Sequence, residues 1–272
     1  PMRISFIGGG TDIKDFYKTN NNGGAVISAA INKYVYIILN KYHDKRRCLL
    51  KYSKTEIVRN IKDIKHPLIK ACMNKSNLWG LDINSVADVS AGTGLGSSSS
   101  FTVGLINALQ CYKNRPISKE TLAEKACEVE IDILRQPIGK QDQYAAAYGG
   151  LNIIKFQQNG DTSIEKITSR KVINFLRENL LILNTGIRKN NKVVLLEQKK
   201  NIKKGKIFLE HLRFMRNSVF DFKSALIKRD IKICGDILHE NWRKKRELAK
   251  RIATRDINKV YEDALGYGAL GG

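Results

Sequence analysis

Three observations predict a mixed α/β arrangement in the first half of this chain and a helix-rich α+β part after it. Strand-like and helix-like segments alternate over residues 1–156. A glycine- and serine-rich stretch at 90–100 lies between an apolar strand candidate and an amphipathic helix. From about residue 192 to 265 nearly everything has helical spacing.

Residues 1–7 read as a short strand that runs into Gly8-Gly9-Gly10. Residues 33–40, KYVYIILN, are β-branched and aromatic, which predicts a well-buried strand. A further strand at 83–89 leads into Ser90-Ala91-Gly92-Thr93-Gly94-Leu95-Gly96-Ser97-Ser98-Ser99-Ser100. The next helix carries Phe101, Leu105 and Leu109 on one face. Ser118 suits the N-cap of a second helix, whose stripe Leu122, Ala126, Val129 and Ile133 ends at Pro137-Ile138-Gly139. Gly149-Gly150 precedes a strand at 151–156, and the polar stretch 157–163 marks a hairpin or linker. Residues 180–183 read as a strand ending at Asn184-Thr185-Gly186. Ile207, Leu209, Leu212, Met215, Val219, Phe222 and Leu226 repeat at helical period. The pattern places a boundary near 157–180, with domains at 1–165 and 166–272.

Composition excludes several classes. At 42% hydrophobic and 27% charged over 272 residues, the chain can bury a core and is not a disordered tail. No apolar run approaches the roughly 20 residues of a membrane helix, and no signal pattern opens the chain. A cytoplasmic protein is therefore expected. Its five cysteines form no CxxC pair, so they suit core or surface thiols rather than a disulfide framework or zinc site. The four histidines have no paired spacing and read as surface or packing residues. The formal net charge of +22 invites a nucleic-acid reading. Its distribution weakens that reading, because residues 1–150 carry +8 and residues 151–272 carry +14. The basic runs at 199–204 and 242–246 lie on helical segments without interleaved aromatic platforms, as a solvated helix face would.

Chemistry concentrates in the glycine loops. Gly92, Gly94 and Gly96 alternate just before a helix that begins at Ser97, Ser98 and Ser99. Such a loop brings backbone N–H groups and the positive end of a helix dipole to one spot, which is a phosphate site. The serine hydroxyls add hydrogen bonds and one Mg²⁺ ligand. The spacing is neither G-x-x-x-x-G-K-[ST] nor G-x-G-x-x-G. A second glycine turn, RISFIGGGTD at 3–12, ends in a carboxylate, and a third cluster, 126–143, combines Glu130 on a helix with Gly139-Lys140-Gln141-Asp142-Gln143.

RISFIGGGTD, AGTGLGSSSS and IGKQDQYAAAYGG, in this order, resemble the GHMP kinase superfamily of galactokinase, homoserine kinase, mevalonate kinase and phosphomevalonate kinase. Within it the wording around Asp142 and the triple glycine is similar to the bacterial D-glycero-D-manno-heptose 7-phosphate kinases. The resemblance implies a two-domain fold: an N-terminal mixed α/β domain with the phosphate loop, then a helix-rich, ferredoxin-like α+β domain. It implies transfer of the γ-phosphoryl group of ATP, with Mg²⁺, to a hydroxyl of a small-molecule sugar phosphate. By the match, Gly92, Gly94, Leu95, Gly96, Ser97, Ser98 and Ser99 wrap the ATP phosphates. Ser98 and Glu130 complete the metal shell, Asp142 is the base, and Arg3 lies beside it to stabilise the incipient alkoxide. Gly9, Gly10, Asp12 and Tyr144 contact the sugar.

Two departures carry expectations of their own. Galactokinase-like members have Glu-His where this chain has Gly9-Gly10, so a wider sugar pocket is expected. The chain also stops at Gly271-Gly272, before the family's last glycine motif, which implies a trimmed version of a longer chain; as a complete chain it would turn over weakly or not at all. The readings carried forward are a heptose-phosphate kinase, a kinase of another sugar such as fucose or a hexose, a basic nucleic-acid-binding protein, and a kinase-like scaffold without turnover. Arg135, Lys140, Arg188 and Lys189 are candidates for gripping a distal substrate phosphate, by proximity to the motifs.

Overall fold

The computed structural model describes residues 1–186, 191–202 and 205–272. Its strands are β1 (Arg3–Ile7), β2 (Gly24–Ala30), β3 (Val35–Lys41), β4 (Cys48–Lys51), β5 (Thr55–Val58), β6 (Leu81–Ala87), β7 (Leu151–Phe156) and β8 (Thr162–Ile167). Its helices are α1 (Lys14–Tyr17), α2 (Pro67–Ser76), α3 (Ser97–Tyr112), α4 (Lys119–Cys127), α5 (Gln141–Tyr148), α6 (Arg170–Asn179), α7 (Asn191–Ile202), α8 (Lys206–Lys228), α9 (Ile231–Glu247) and α10 (Arg255–Gly266). A π-helical turn, Glu128–Ile133, continues α4.

The chain forms two compact units, each assembled from separated stretches. The first takes Pro1–Arg3, Ala30–Gln136 and Asp142–Gly149; the second takes Ile4–Ala29, Pro137–Gln141 and Gly150–Gly272. The expected division between 165 and 166 does not coincide with this. The reason lies in strand pairing: β2 pairs with β7 and β7 with β8, all antiparallel, which ties the segment up to Ala29 to the C-terminal half.

In the first unit the sheet order is β3-β6-β4-β5. β6 runs antiparallel to β3 and parallel to β4. Leu50, Leu81 and Ile83 from this sheet are buried with Ile69 and Met73 of α2 and Leu105 of α3. β3, expected to be well buried, is an edge strand. Val35, Ile37 and Leu39 pack on the core, whereas Tyr36 is 48% and Ile38 50% exposed. An apolar run at a sheet edge still alternates between faces, and only one face here is covered. The helical stripe Phe101, Leu105, Leu109 is buried as the sequence predicts. Ser118 caps α4, its Oγ accepting from the Thr121 amide at 3.1 Å. Leu122, Ala126 and Val129 are buried, but Ile133 is exposed, because a π-turn inserts extra backbone and rotates the end of the helix.

In the second unit the sheet order is β1-β2-β7-β8. Ile7, Ala25, Ile27 and Ile153 pack with Val219, Phe222 and Leu226 of α8 and Cys234 of α9. Ile13 and Phe16 join Leu212 and Met215 of α8 with Leu248 and Ala249 in a second apolar cluster. The α8 stripe is thus buried from Leu212 onward, while Ile207 near its start is exposed. The polar stretch 157–163 is a hairpin turn, pairing Phe156 with Thr162. Residues 180–183 are not a strand; they are exposed, Leu181 to 79%. Among the described residues no strand comes after β8, so the sheet under the C-terminal helices comes entirely from the first 167 residues. All five cysteines are free thiols, with only Cys111 exposed.

Phe222 is 1% exposed and its ring lies 5.7 Å from that of Phe6. Phe222→Ala should lower unfolding free energy by about 3–5 kcal/mol. Phe214→Ala, on the exposed side of the same helix, should change it by only about 0.5 kcal/mol. Urea unfolding of the two variants checks the difference; equal losses would contradict this packing.

Candidate active site

Gly92, Gly94 and Gly96 all take the left-handed conformation, with φ of +89°, +79° and +73°. A Cβ at Gly92 or Gly94 would meet no atom within 4 Å. Glycine is demanded here by backbone conformation, and the loop's outer surface is open. Gly96 is the N-cap of α3, and no side chain caps that end. The first-turn amides of a 16-residue helix therefore face the same side as the loop, the arrangement that binds anions.

Beneath this loop Glu130 is fully buried. Its Oε1 accepts from Ser98 Oγ at 3.1 Å and Thr102 Oγ1 at 3.2 Å. Its Oε2 accepts from Ser99 Oγ at 2.7 Å and Gln143 Nε2 at 2.5 Å. The π-turn places Glu130 under the serines, α3 supplies three hydroxyls, and α5 supplies Gln143. Burial pushes the Glu130 carboxyl above its ordinary value; the hydrogen bonds from Ser99, Gln143 and Ser98 oppose that push. Ser98 is exposed and Glu130 is not, so the Ser98 hydroxyl stands between the carboxylate and solvent.

Arg3 ties the loop to a second carboxylate. Its Nε donates to Asp142 Oδ1 at 2.8 Å, and its Nη2 lies 2.6 Å from the same oxygen. Its Nη1 donates to the Gly94 carbonyl at 2.7 Å, and its backbone N–H to the Leu95 carbonyl at 3.0 Å. The guanidinium's fork geometry is what allows one side chain to hold both. Because both contacts go to Oδ1, Oδ2 of Asp142 is left for another donor. Arg3 and Asp142 are both largely buried, with 14% and 24% side-chain exposure.

The second unit carries a separate cluster. Asp12 is buried; its Oδ1 accepts from the Gly10 amide at 3.0 Å and Gln141 Nε2 at 3.2 Å. Its Oδ2 accepts from the Gln141 amide at 3.2 Å. Ser5 Oγ donates to Gln141 Oε1 at 2.7 Å. A Cβ at Gly139 would lie 2.0 Å from Asp12 Oδ2, so only glycine allows this approach. Asp12 therefore joins the glycine turn to the 137–141 loop rather than presenting a bare carboxylate. The space at Gly10 is not vacant either: a Cβ there would lie 2.2 Å from Gln198 Nε2. At Gly9 the carbonyl accepts from Lys245 Nζ at 2.5 Å. Side chains of α7 and α9 thus occupy the space beside Gly9 and Gly10 that the sequence reading left open for a sugar.

The expected residues fall into these two groups. Arg3, Gly92, Gly94, Leu95, Gly96, Ser97, Ser98, Ser99, Glu130 and Asp142 come together in the first unit. Gly9, Gly10 and Asp12 come together in the second. Tyr144 is 2% exposed and stacks on Tyr148, a packing environment instead of a substrate-facing one. Lys140 is spent on the Gly160 carbonyl and the Tyr17 ring, and Arg135 is exposed with φ of +49°. Arg188 and Lys189 lie outside the described residues. Sequence reasoning missed Thr102, Gln143, Gln198 and Lys245. Thr102 and Gln143 had a signal, one turn after Ser98 and one residue after Asp142; the other two had none, being brought in by tertiary packing.

Residues 61–150 match the N-terminal domain of the GHMP kinases. Over its full length the chain is 27% identical to D-glycero-alpha-D-manno-heptose 7-phosphate kinase of Campylobacter jejuni, of which it covers 83%. It superposes with a TM-score of 0.80 on the crystal structure of a D-glycero-D-manno-heptose 1-phosphate kinase from Bacteroides thetaiotaomicron, at 25% identity, covering all of this chain and 82% of that one. Residues 61–150 thus carry a GHMP kinase N-terminal domain, and similarity to kinases of that family extends over the whole chain. The chain is also 24% identical over its full length to galactokinase of Pyrococcus furiosus, covering 83% of it.

A raised carboxyl pKa means the folded state holds that proton more firmly than the unfolded state does. Ionised Glu130 then lowers stability progressively as pH rises from the ordinary carboxylate range through its raised folded value. Glu130→Gln removes that loss, and Gln143, whose Oε1 has no partner among the described residues, can turn to accept from the new amide. The variant should melt at or above the parent temperature at neutral pH, with the difference shrinking or reversing as pH falls. Calorimetry across pH checks this; a lower melting temperature at neutral pH would show that the carboxylate is a net stabiliser.

Proposed function

We propose that this chain is an ATP-dependent kinase acting on the anomeric hydroxyl of a sugar phosphate, D-glycero-D-manno-heptose 7-phosphate, to give the 1,7-bisphosphate. The observation that carries the reaction type is Arg3, which holds Asp142 Oδ1 while hydrogen-bonding the carbonyl of Gly94 in the phosphate loop. The similarity to heptose-phosphate kinases supports the substrate.

The loop amides and the α3 N-terminus take the ATP phosphates. Asp142 Oδ2 accepts the proton of the anomeric hydroxyl, whose oxygen forms a bond to the γ-phosphorus as the bond to the β-phosphate oxygen of ADP breaks. Arg3 orients Asp142 through Oδ1 and spreads positive charge where the alkoxide develops. Asp12 fixes Gly10 and Gln141 within the second unit. Among the described residues no group of three His, Cys, Asp or Glu could hold a metal alone. Ser98 Oγ and Glu130 Oε1, 3.1 Å apart, are instead the pair of hard oxygen donors that Mg²⁺ accepts together with phosphates and water. A bound Mg²⁺ there would neutralise phosphate charge. No described helix is long and apolar enough to cross a membrane. The reading includes a cytoplasmic site of action, where ATP and sugar phosphates are available.

ADP release, corrected for hydrolysis, should be fastest with heptose 7-phosphate and much slower with mannose, fucose or galactose. Faster turnover of an unphosphorylated sugar would overturn the substrate. Asp142→Asn should lower kcat by roughly 10²–10⁴ with little change in ATP affinity. An Asn variant as fast as the parent would remove Asp142 from the mechanism. Glu130→Gln should raise the Mg²⁺ concentration needed for half-maximal rate, and an unchanged titration would count against that ligand.

A further inference from the structure

We propose that a cavity walled by α2, α3, α4 and the π-turn binds a small apolar monocarboxylate, and that its occupant steadies the turn that carries Glu130. All of these walls belong to the first unit, and the inference does not depend on the substrate reading above.

The cavity measures about 230 Å³. An engineered apolar cavity of about 150 Å³ takes benzene, and drug-sized sites begin near roughly 300 Å³. The volume therefore suits one ring with a short chain. Its apolar lining is Cys72, Ile106, Leu109 and Val129, all buried. Lys75, Gln110 and Lys125 also line it and keep contact with solvent. Lys75 is paired with Glu128. Lys125 has no ion pair or side-chain hydrogen bond among the described residues, and neither has the Gln110 amide. An unpaired ammonium and a free amide beside an apolar pocket match a carboxylate with an apolar tail. A sugar or a nucleotide would bury polar groups there with nothing to answer them.

The cavity is separate from the glycine loop. Ile106 to Gln110 lie roughly 14–20 Å along α3 from Ser97, at 1.5 Å per residue. It nevertheless adjoins the turn beneath that loop. Val129 immediately precedes Glu130, and its carbonyl accepts from the Leu134 amide at 3.0 Å, the wide hydrogen bond that defines the π-turn. On the opposite wall, burial and the charge of Glu130 push the Cys72 thiol up to about 12, so it stays neutral and behaves as an apolar surface. A ligand packed against Val129 favours the widened turn over a regular α-helical one. That is the form in which Glu130 accepts from Ser98 and Ser99.

The test is titration calorimetry with phenylpropionate, phenylpropanol and phenylpropylamine on the parent, Lys125→Gln and Ile106→Phe. The parent should bind one phenylpropionate per chain, more tightly than the alcohol, and should not bind the amine. Lys125→Gln should weaken the acid about three- to tenfold and leave the alcohol unchanged. Ile106→Phe, which fills the space, should remove binding of both. Thermal melting checks that it is folded, and Lys125→Gln, at the rim, carries the test if it is not. Phenylpropionate should also slow amide exchange at residues 128–134 and 97–102 of the parent. An acid that binds no better than its alcohol or amine overturns the carboxylate, and binding that survives in a folded Ile106→Phe overturns the cavity. Binding without slower exchange overturns the link to the π-turn.

Discussion

A carboxylate sealed from water is the constraint around which the first unit is arranged. Glu130 has no exposed surface, and a lone buried charge would be prohibitive. Four donors from two helices surround it: Ser98, Ser99 and Thr102 on α3, and Gln143 on α5. Those contacts fix where α3 begins, and so where the glycine loop before it must turn. They also fix the rotation of α5, which decides where Asp142 stands. The π-turn belongs to the same constraint. A regular α4 would have carried the carboxylate to a different azimuth, and the inserted backbone brings it under the serines.

The grouping of candidate residues in the first unit was largely legible in the sequence because much of it is local. Alternate glycines before an amphipathic helix leave few other conformations, and Ser97 to Ser99 come within one turn. What connects these pieces was not legible. That Arg3 Nη1 reaches Gly94, 91 residues away, is a result of chain topology and has no periodic signature. Strand types were read well where both faces are covered, as at Leu151–Phe156, and poorly where one is not. Residues 33–40 are apolar on both sides of their pleat, which predicts burial, yet the sheet ends there. Residues 180–183 have strand composition, but pairing needs a neighbour, and composition does not supply one.

Net charge changes meaning in the same way. A basic run on a helix is indistinguishable in sequence whether it faces water or a site. In α9 it does both: Arg243 pairs with Glu240 on the exposed side, while Lys245 two residues on reaches Gly9. The +14 of residues 151–272 is therefore not wholly a solvated helix face. At least one of its cations is held at a glycine turn. The rest of that basic field would raise the encounter rate of an anionic substrate such as the proposed one, an effect that salt screens.

Arg3 couples the glycine loop to Asp142 within the first unit. Its guanidinium spans Asp142 and the Gly94 carbonyl, its backbone N–H takes the Leu95 carbonyl, and its side chain fills the space beside Gly96, where a Cβ would stand 3.3 Å from Arg3 Cγ. Any ligand that moves the loop by a few tenths of an ångström also moves Asp142. A lysine could satisfy the charge of Asp142 but not the loop at the same time, because a point ammonium lacks the spread of donors that the fork provides. The coupling runs in the other direction too. On the proposed mechanism, proton uptake by Asp142 would weaken its charge-assisted bonds to Arg3 and free the grip on Gly94 to change as the phosphoryl group moves. On that mechanism the same residue that assembles the loop for ATP would also be placed to loosen it for ADP.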